Sequence, residues 1–184
     1  MKEINVEIEG VTPLLMNSPA GMLEPKDEMS SKTRKYIPKI EAAKLLYKNS
    51  KGKLYVPSAA IKGSMLGACS FKKVGKFSAR PIIAGCVRVK DKEIVLDNQK
   101  YEIDLRTVRI PTAPGKPRVL KARPMINKWK LNFVLVYNDE VITDPDIIKR
   151  ILKDSGERVG LLDYRPQTNG EFGCFKINKF EMVK

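Results

Sequence analysis

The stretch VPSAAIKG, Val56 to Gly63, puts three small residues, Ser58, Ala59 and Ala60, one turn ahead of a lysine, Lys62. It reads as the opening of a helix. A helix start leaves backbone N–H groups without intrahelical partners and carries partial positive charge, so phosphate binds there readily. The small side chains let a ligand approach closely, and Lys62 adds a full charge in the first turn. The same residues also read as an ordinary capped helix, with Ser58 as the cap and Lys62 solvated.

A second segment, GLLDYRPQTNGEFG, runs from Gly160 to Gly173. Its glycines, Gly160, Gly170 and Gly173 among them, permit positive φ and let backbone amides turn toward a ligand. Tyr164 and Arg165 supply groups that stack on bases and contact phosphates. The segment is also far longer than the roughly 2–6 residues of an ordinary helix-to-strand loop.

A third segment, the excursion at 104–125, carries Arg106, Arg109, Lys116, Arg118, Lys121 and Arg123 around the stiff tip PTAPGKP, and no acid lies between Thr107 and Arg123. Cations without local acids on a protruding hairpin suit a polyanionic backbone. Solvated solubility charges are the alternative.

The whole chain agrees with that partner. Lys and Arg number 35 against 21 Asp and Glu, a formal net charge of +14 over 184 residues. With 42% hydrophobic residues the chain has material for a core. It contains no histidine, which removes Ser-His-Asp and Cys-His pairs and histidine acid–base chemistry. Cys69, Cys86 and Cys174 are dispersed, with neither disulfide nor zinc spacing, so they read as small hydrophobes. No metal and no cofactor is expected. No apolar run approaches the ~20 residues that span a bilayer. The opening MKEINVEIEG alternates rather than forming a signal peptide. We therefore expect a cytoplasmic protein with no membrane partner.

The elements that position these segments follow from periodicity. Ile4, Val6 and Ile8 alternate as a strand over 3–9. A polar loop occupies 17–36, followed by a short helix from Pro38 to Tyr47 with Ile40, Ala43, Leu46 and Tyr47 on one side. Ile61, Met65 and Ala68 make the apolar stripe of a helix over 58–69. Residues 82–97 read as a hairpin turning at KDKE. Leu131, Phe133, Leu135 and Tyr137 face one way along a strand over 129–137. Asp144 caps a helix over 144–155 whose stripe is Ile147, Ile148, Ile151 and Leu152, with Gly156 just past its end. A last strand covers 172–182. Without the loops the order is βαββαβ, an α+β chain with the ferredoxin-like or modified RRM fold, read as one domain over 1–184 with the basic hairpin inserted.

Together these residues resemble the repeat-associated mysterious proteins (RAMPs) of CRISPR systems. VPSAAIKG is similar to that family's proline–small–small–hydrophobic–Lys–Gly motif, and 160–173 is similar to its C-terminal glycine-rich loop. The excursion sits where the family's backbone subunits carry a thumb-like hairpin. Leu162 stands where a second glycine is common. The resemblance implies a single-stranded RNA binder that holds phosphates through Lys62 and the helix start at Ser58, and that self-associates along the strand or joins other effector-complex subunits. RNA is favoured over DNA. Binding is then largely independent of base sequence, and the protein is not an enzyme. Two alternatives stay open: a metal-dependent endoribonuclease using Asp27, and a stand-alone single-stranded DNA-binding protein of a mobile element.

Overall fold

The alternating aliphatics of the N-terminal segment form strand β1 (Lys2–Gly10), with Ile4, Val6 and Ile8 turned inward and buried. The computed structural model describes residues 1–22, 36–70, 72–109 and 118–183. After β1 come β2 (Leu14–Leu15), α1 (Pro38–Lys44), β3 (Tyr55–Pro57) and α2 (Ser58–Ala68). Next are β4 (Lys73–Val74), β5 (Phe77–Ser78), α3 (Ala79–Cys86), β6 (Val87–Val89) and β7 (Glu93–Val95). The two long arms β8 (Glu102–Arg109) and β9 (Arg118–Ile126) precede β10 (Lys130–Tyr137), α4 (Asp146–Asp154) and β11 (Phe175–Met182).

One antiparallel sheet runs in the order β11-β1-β10-β6. With α2 between β1 and β6, and α4 between β10 and β11, the chain has the βαββαβ order of a ferredoxin-like fold. Ile61 and Met65 of α2 and Ile148, Ile151 and Leu152 of α4 share one core with Ile4, Val6, Leu131, Phe133 and Leu135. Both helices thus cover the same sheet face. The other face presents Glu3, Asn5, Glu7, Glu9 and Asn132, laced by the ion pairs Lys90–Glu3 and Lys130–Glu9. The inward–outward alternation places no aromatic side chain there among the described residues.

Four local expectations are corrected. Residues 82–97 are not a hairpin. The β-branched Ile82 and Ile83 lie in α3, where Pro81 is tolerated within the first turn and Ala79 and Ile83, four apart, are both buried. Val87–Val89 then pairs with β10 and Glu93–Val95 with β3, so the KDKE segment joins two sheets. α1 ends at Lys44 and buries Ala42, while Ile40 and Ala43 are exposed. The Asp144 carboxylate accepts a first-turn amide of α4, that of Asp146, at 3.0 Å, with Pro145 at the N-cap position. Gly156, however, does not end that helix, which continues through a wide turn, Ser155–Val159, and stops at Gly160 with φ of 75°. A Cβ at Gly156 would stand 2.1 Å from the Phe175 carbonyl oxygen, so close approach to β11 explains that glycine. Lastly, Ser58 is not an N-cap. Pro57 takes that position, and the Ser58 amide donates to Lys92 O at 2.9 Å.

The basic excursion is an antiparallel hairpin, with Asp104 opposite Arg123, Arg106 opposite Lys121 and Arg109 opposite Arg118. β2 extends it into a small sheet ordered β2-β9-β8. Lys116 and Asp27 lie outside the described residues.

Candidate nucleic-acid interface

The glycine-rich loop closes on itself. Leu161 N donates to Gly173 O, Phe172 N to Tyr164 O and Gly170 N to Arg165 O, each at 3.0–3.1 Å. Gly173 has φ of 72°, and a Cβ there would lie 2.1 Å from Leu161 O. At Gly170 it would lie 1.8 Å from Tyr164 O. The amides of Gly160, Gly170 and Gly173 donate to Ser155 O, Arg165 O and Pro13 O respectively. These glycines therefore shape the loop and do not aim their amides at a ligand as expected. Leu162, at the place where the resemblance would put a glycine, has φ of 60°.

So folded, the loop faces the start of α2 across a cleft of about 330 Å³. Ala59, Ala60, Gly63 and Ser64 form one wall, and Gly160, Leu162, Asp163 and Arg165 the other. Asn17 and Tyr47 complete the lining. The two motifs that the sequence singles out, about a hundred positions apart, thus line one concavity. α2 contributes its small face and the first-turn amides of Ala59 and Ala60, which have no i−4 carbonyls to serve, while the Ser58 amide is taken by Lys92 O. Arg165 is held in place by Leu162 O, 2.7 Å from Nη1, and by Gln167 Oε1, 3.1 Å from Nη2. The two helix glycines divide in role. Gly67 packs against Val159 and Gln167, whereas a Cβ at Gly63 would meet nothing within 4 Å.

Lys62 is not in the cleft. Its ammonium donates to the carbonyls of Ile83 and Val87, tying α2 to the end of α3. Burial holds its pKa below the ordinary lysine value. The expectation of an exposed Lys62 is corrected: the carbonyls at the end of α3, where the helix dipole is negative, attract the nearest cation, although Ile83 O also accepts the Val87 amide.

The hairpin docks on the outside of the same loop. Arg106 lies over Tyr164 and Phe172, 5.2 and 4.9 Å from the ring centroids. Asp104 binds Arg106 through both carboxylate oxygens and raises its pKa. Arg123 is buried against Asp163. Lys121 is half-buried, and burial first, then the Arg123 charge, lower its pKa. Arg118 is exposed, and Arg109 lies opposite it on β8. The hairpin's cations are therefore partly compensated in space, by Asp104 and Asp163, although no acid stands between Thr107 and Arg123 in the chain.

Sequence reasoning missed Asn17, Asp163, Tyr47 and Phe172. Asp163 and Phe172 stood inside the quoted loop, and an acid among basic neighbours was the available signal. Asn17 gave none. Among the described residues no three Cys, Asp or Glu side chains gather as metal ligands. Cys69 is buried, Cys86 and Cys174 partly so, and all three are free.

No family model matches this chain, and no curated protein does. The fold is similar to that of a chain in the cryo-EM structure of the Type III-B Cmr-beta bound to cognate target RNA. The TM-score is 0.66 at 16% identity, over all of this chain and 61% of that one. This protein thus spans about three-fifths of that neighbour's length. The likeness supports the RAMP-like fold that the two motifs imply, and at this identity it speaks for the fold alone.

Proposed function

We propose that this protein binds single-stranded RNA along its phosphates without cutting it, as a subunit working beside copies of itself or other effector-complex subunits. The observation that carries the reading is the convergence of the VPSAAIKG and glycine-rich segments on one cleft, beside a basic hairpin docked on the same loop. The net charge of +14 supplies counterion-release affinity. The similar chain belongs to a complex bound to target RNA. The outward sheet face, without aromatics among the described residues, lacks there the stacking platform through which RRM sheets read bases. Recognition therefore falls to the helix side and the hairpin, and largely ignores base identity.

Gel-shift titrations with single- and double-stranded RNA and DNA, at several salt concentrations and with magnesium or manganese present, test this. Single-stranded RNA should bind tightest, with log affinity falling linearly in log salt, and should be recovered intact. Absence of binding at low salt, or cleavage of the RNA, would overturn the reading.

A further inference from the structure

Buried polar groups are almost always paired, so the exceptions mark places where something else is expected. Among the described residues, the buried side-chain polar atoms without a hydrogen-bond partner belong to Asn17, Arg123, Asp163 and Asp154. Asn17 and Asp163 both line the cleft between α2 and the glycine-rich loop. Arg123 Nε reaches Asp163 Oδ2 at 2.6 Å as an ion pair, yet its buried Nη1 finds no acceptor. With Asp163 held by Arg123, Asn17 Oδ1 is the unmet acceptor in this cleft, and an unmet acceptor is expensive to keep.

The chemistry selects the occupant. Asn17 Oδ1 is a neutral acceptor and wants a hydroxyl or amide donor, whereas the Asp163 oxygens are already engaged by Arg123 Nε and the Tyr164 amide. The opposite wall, with small Ala59 and Ala60 and open Gly63, admits a sugar face without collision. The volume of about 330 Å³ is at the small end of the ~300–1,000 Å³ range of ligand pockets. A strand with phosphates toward the basic hairpin and a sugar hydroxyl toward Asn17 Oδ1 satisfies both.

We propose that the cleft between α2 and the glycine-rich loop receives one ribose of the bound strand, whose 2′-hydroxyl donates a hydrogen bond to Asn17 Oδ1. This rests on the nucleic-acid-binding reading above and adds to it the group that separates RNA from DNA.

The test uses the full chain with three single strands of one sequence: RNA, DNA carrying deoxyuridine in place of uridine, and 2′-fluoro RNA, which lacks the donor but keeps an RNA-like sugar pucker. The parent should bind RNA about tenfold more tightly than either analogue, the scale of one hydrogen bond. Asn17→Ala should bring RNA down to the analogues, leave DNA affinity unchanged and melt at the parent's temperature, because no protein partner is lost. Asn17→Ser, a shorter acceptor, should recover part of the preference and provides the same comparison if the alanine variant folds poorly. Equal binding of the three strands by the parent overturns the ribose site and the RNA preference while leaving single-strand binding intact, and a preference that survives both substitutions overturns the ribose site alone. Failure to bind any strand overturns both.

Discussion

Arg123 Nε lies 2.6 Å from Asp163 Oδ2, and that contact joins β9 of the basic hairpin to the glycine-rich loop. The arginine side chain is only 7% exposed and the aspartate 25%. Removing one member strands the other in a poorly solvated place. For a fully buried pair this costs ~3–5 kcal/mol. With Asp163 partly solvated, we expect Arg123→Ala to cost about 2–3 kcal/mol in urea unfolding. Arg123→Met with Asp163→Leu should recover most of that, since well-packed apolar pairs replace buried ion pairs at little cost. A double variant as unstable as the single one would show that the pair is not what joins the hairpin to the loop.

Arg106 and Arg118 carry the same charge in different settings. Arg106 is held by both oxygens of Asp104 and covers two rings of the loop, whereas Arg118 is exposed. Under the binding reading, Arg118→Ala should reduce the salt slope by about 0.7, one phosphate contact on a single strand. Arg106→Ala should reduce it less and instead lower stability by about 0.5–1 kcal/mol through the lost cation–π contacts. Binding measured against salt, with melting curves alongside, reads both. Equal slope changes would mean that Asp104 does not neutralise Arg106 toward the ligand.

What the sequence makes legible here is regular periodicity. Leu131, Phe133, Leu135 and Tyr137 alternate, and all four are buried along β10. Ile61, Met65 and Ala68 recur at helical spacing on the buried side of α2. Short elements set by tertiary contacts are not legible in this way. Ile82 and Ile83 suggest a strand by type, yet the chain there is α3, and β6 keeps only Val87–Val89. Lys62 was misplaced for the same reason, because its acceptors belong to that unrecognised helix end. Counting acids along the chain made the hairpin look uncompensated, although Asp163 reaches Arg123 from forty positions away. The two motifs were found, but their meeting across one cleft depends on how α2 and the loop pack.

Lys62 makes a pH-dependent contribution. Burial lowers its pKa in the folded state, while the unfolded chain keeps the ordinary lysine value. Between those two values the unfolded state holds more protons, so stability rises with pH; below both the contribution is flat. The neutral amine still has N–H groups for the carbonyls of Ile83 and Val87, so deprotonation removes the burial cost and keeps the bonds. Lys62→Met should be less stable than the parent at pH 7 by about 1–3 kcal/mol, the cost of a buried carbonyl that loses its donor, since Ile83 O keeps the Val87 amide. The gap should widen as pH rises toward the ordinary lysine range. Urea unfolding at neutral and alkaline pH measures it, and a gap that narrows would reverse the assignment. RNA affinity of the folded variant should stay close to the parent's.

Gly63 separates stability from binding. It sits within α2, lines the cleft, and has no atom within 4 Å of where a Cβ would project. In the helix interior, glycine costs roughly 0.5–1 kcal/mol relative to alanine. Gly63→Ala should therefore raise stability by about that amount, because the added methyl meets no protein atom. The same methyl narrows the space opposite Asn17 and Asp163. If the cleft holds the strand, RNA affinity should fall while the melting temperature rises, and the salt slope should stay unchanged because no charge is altered. Gly67→Ala is the control: it lies one turn on, where Val159 and Gln167 already crowd the position, so it should lower stability. A Gly63→Ala protein that melts higher and binds RNA as the parent does would place the strand outside this cleft, whatever the hairpin contributes.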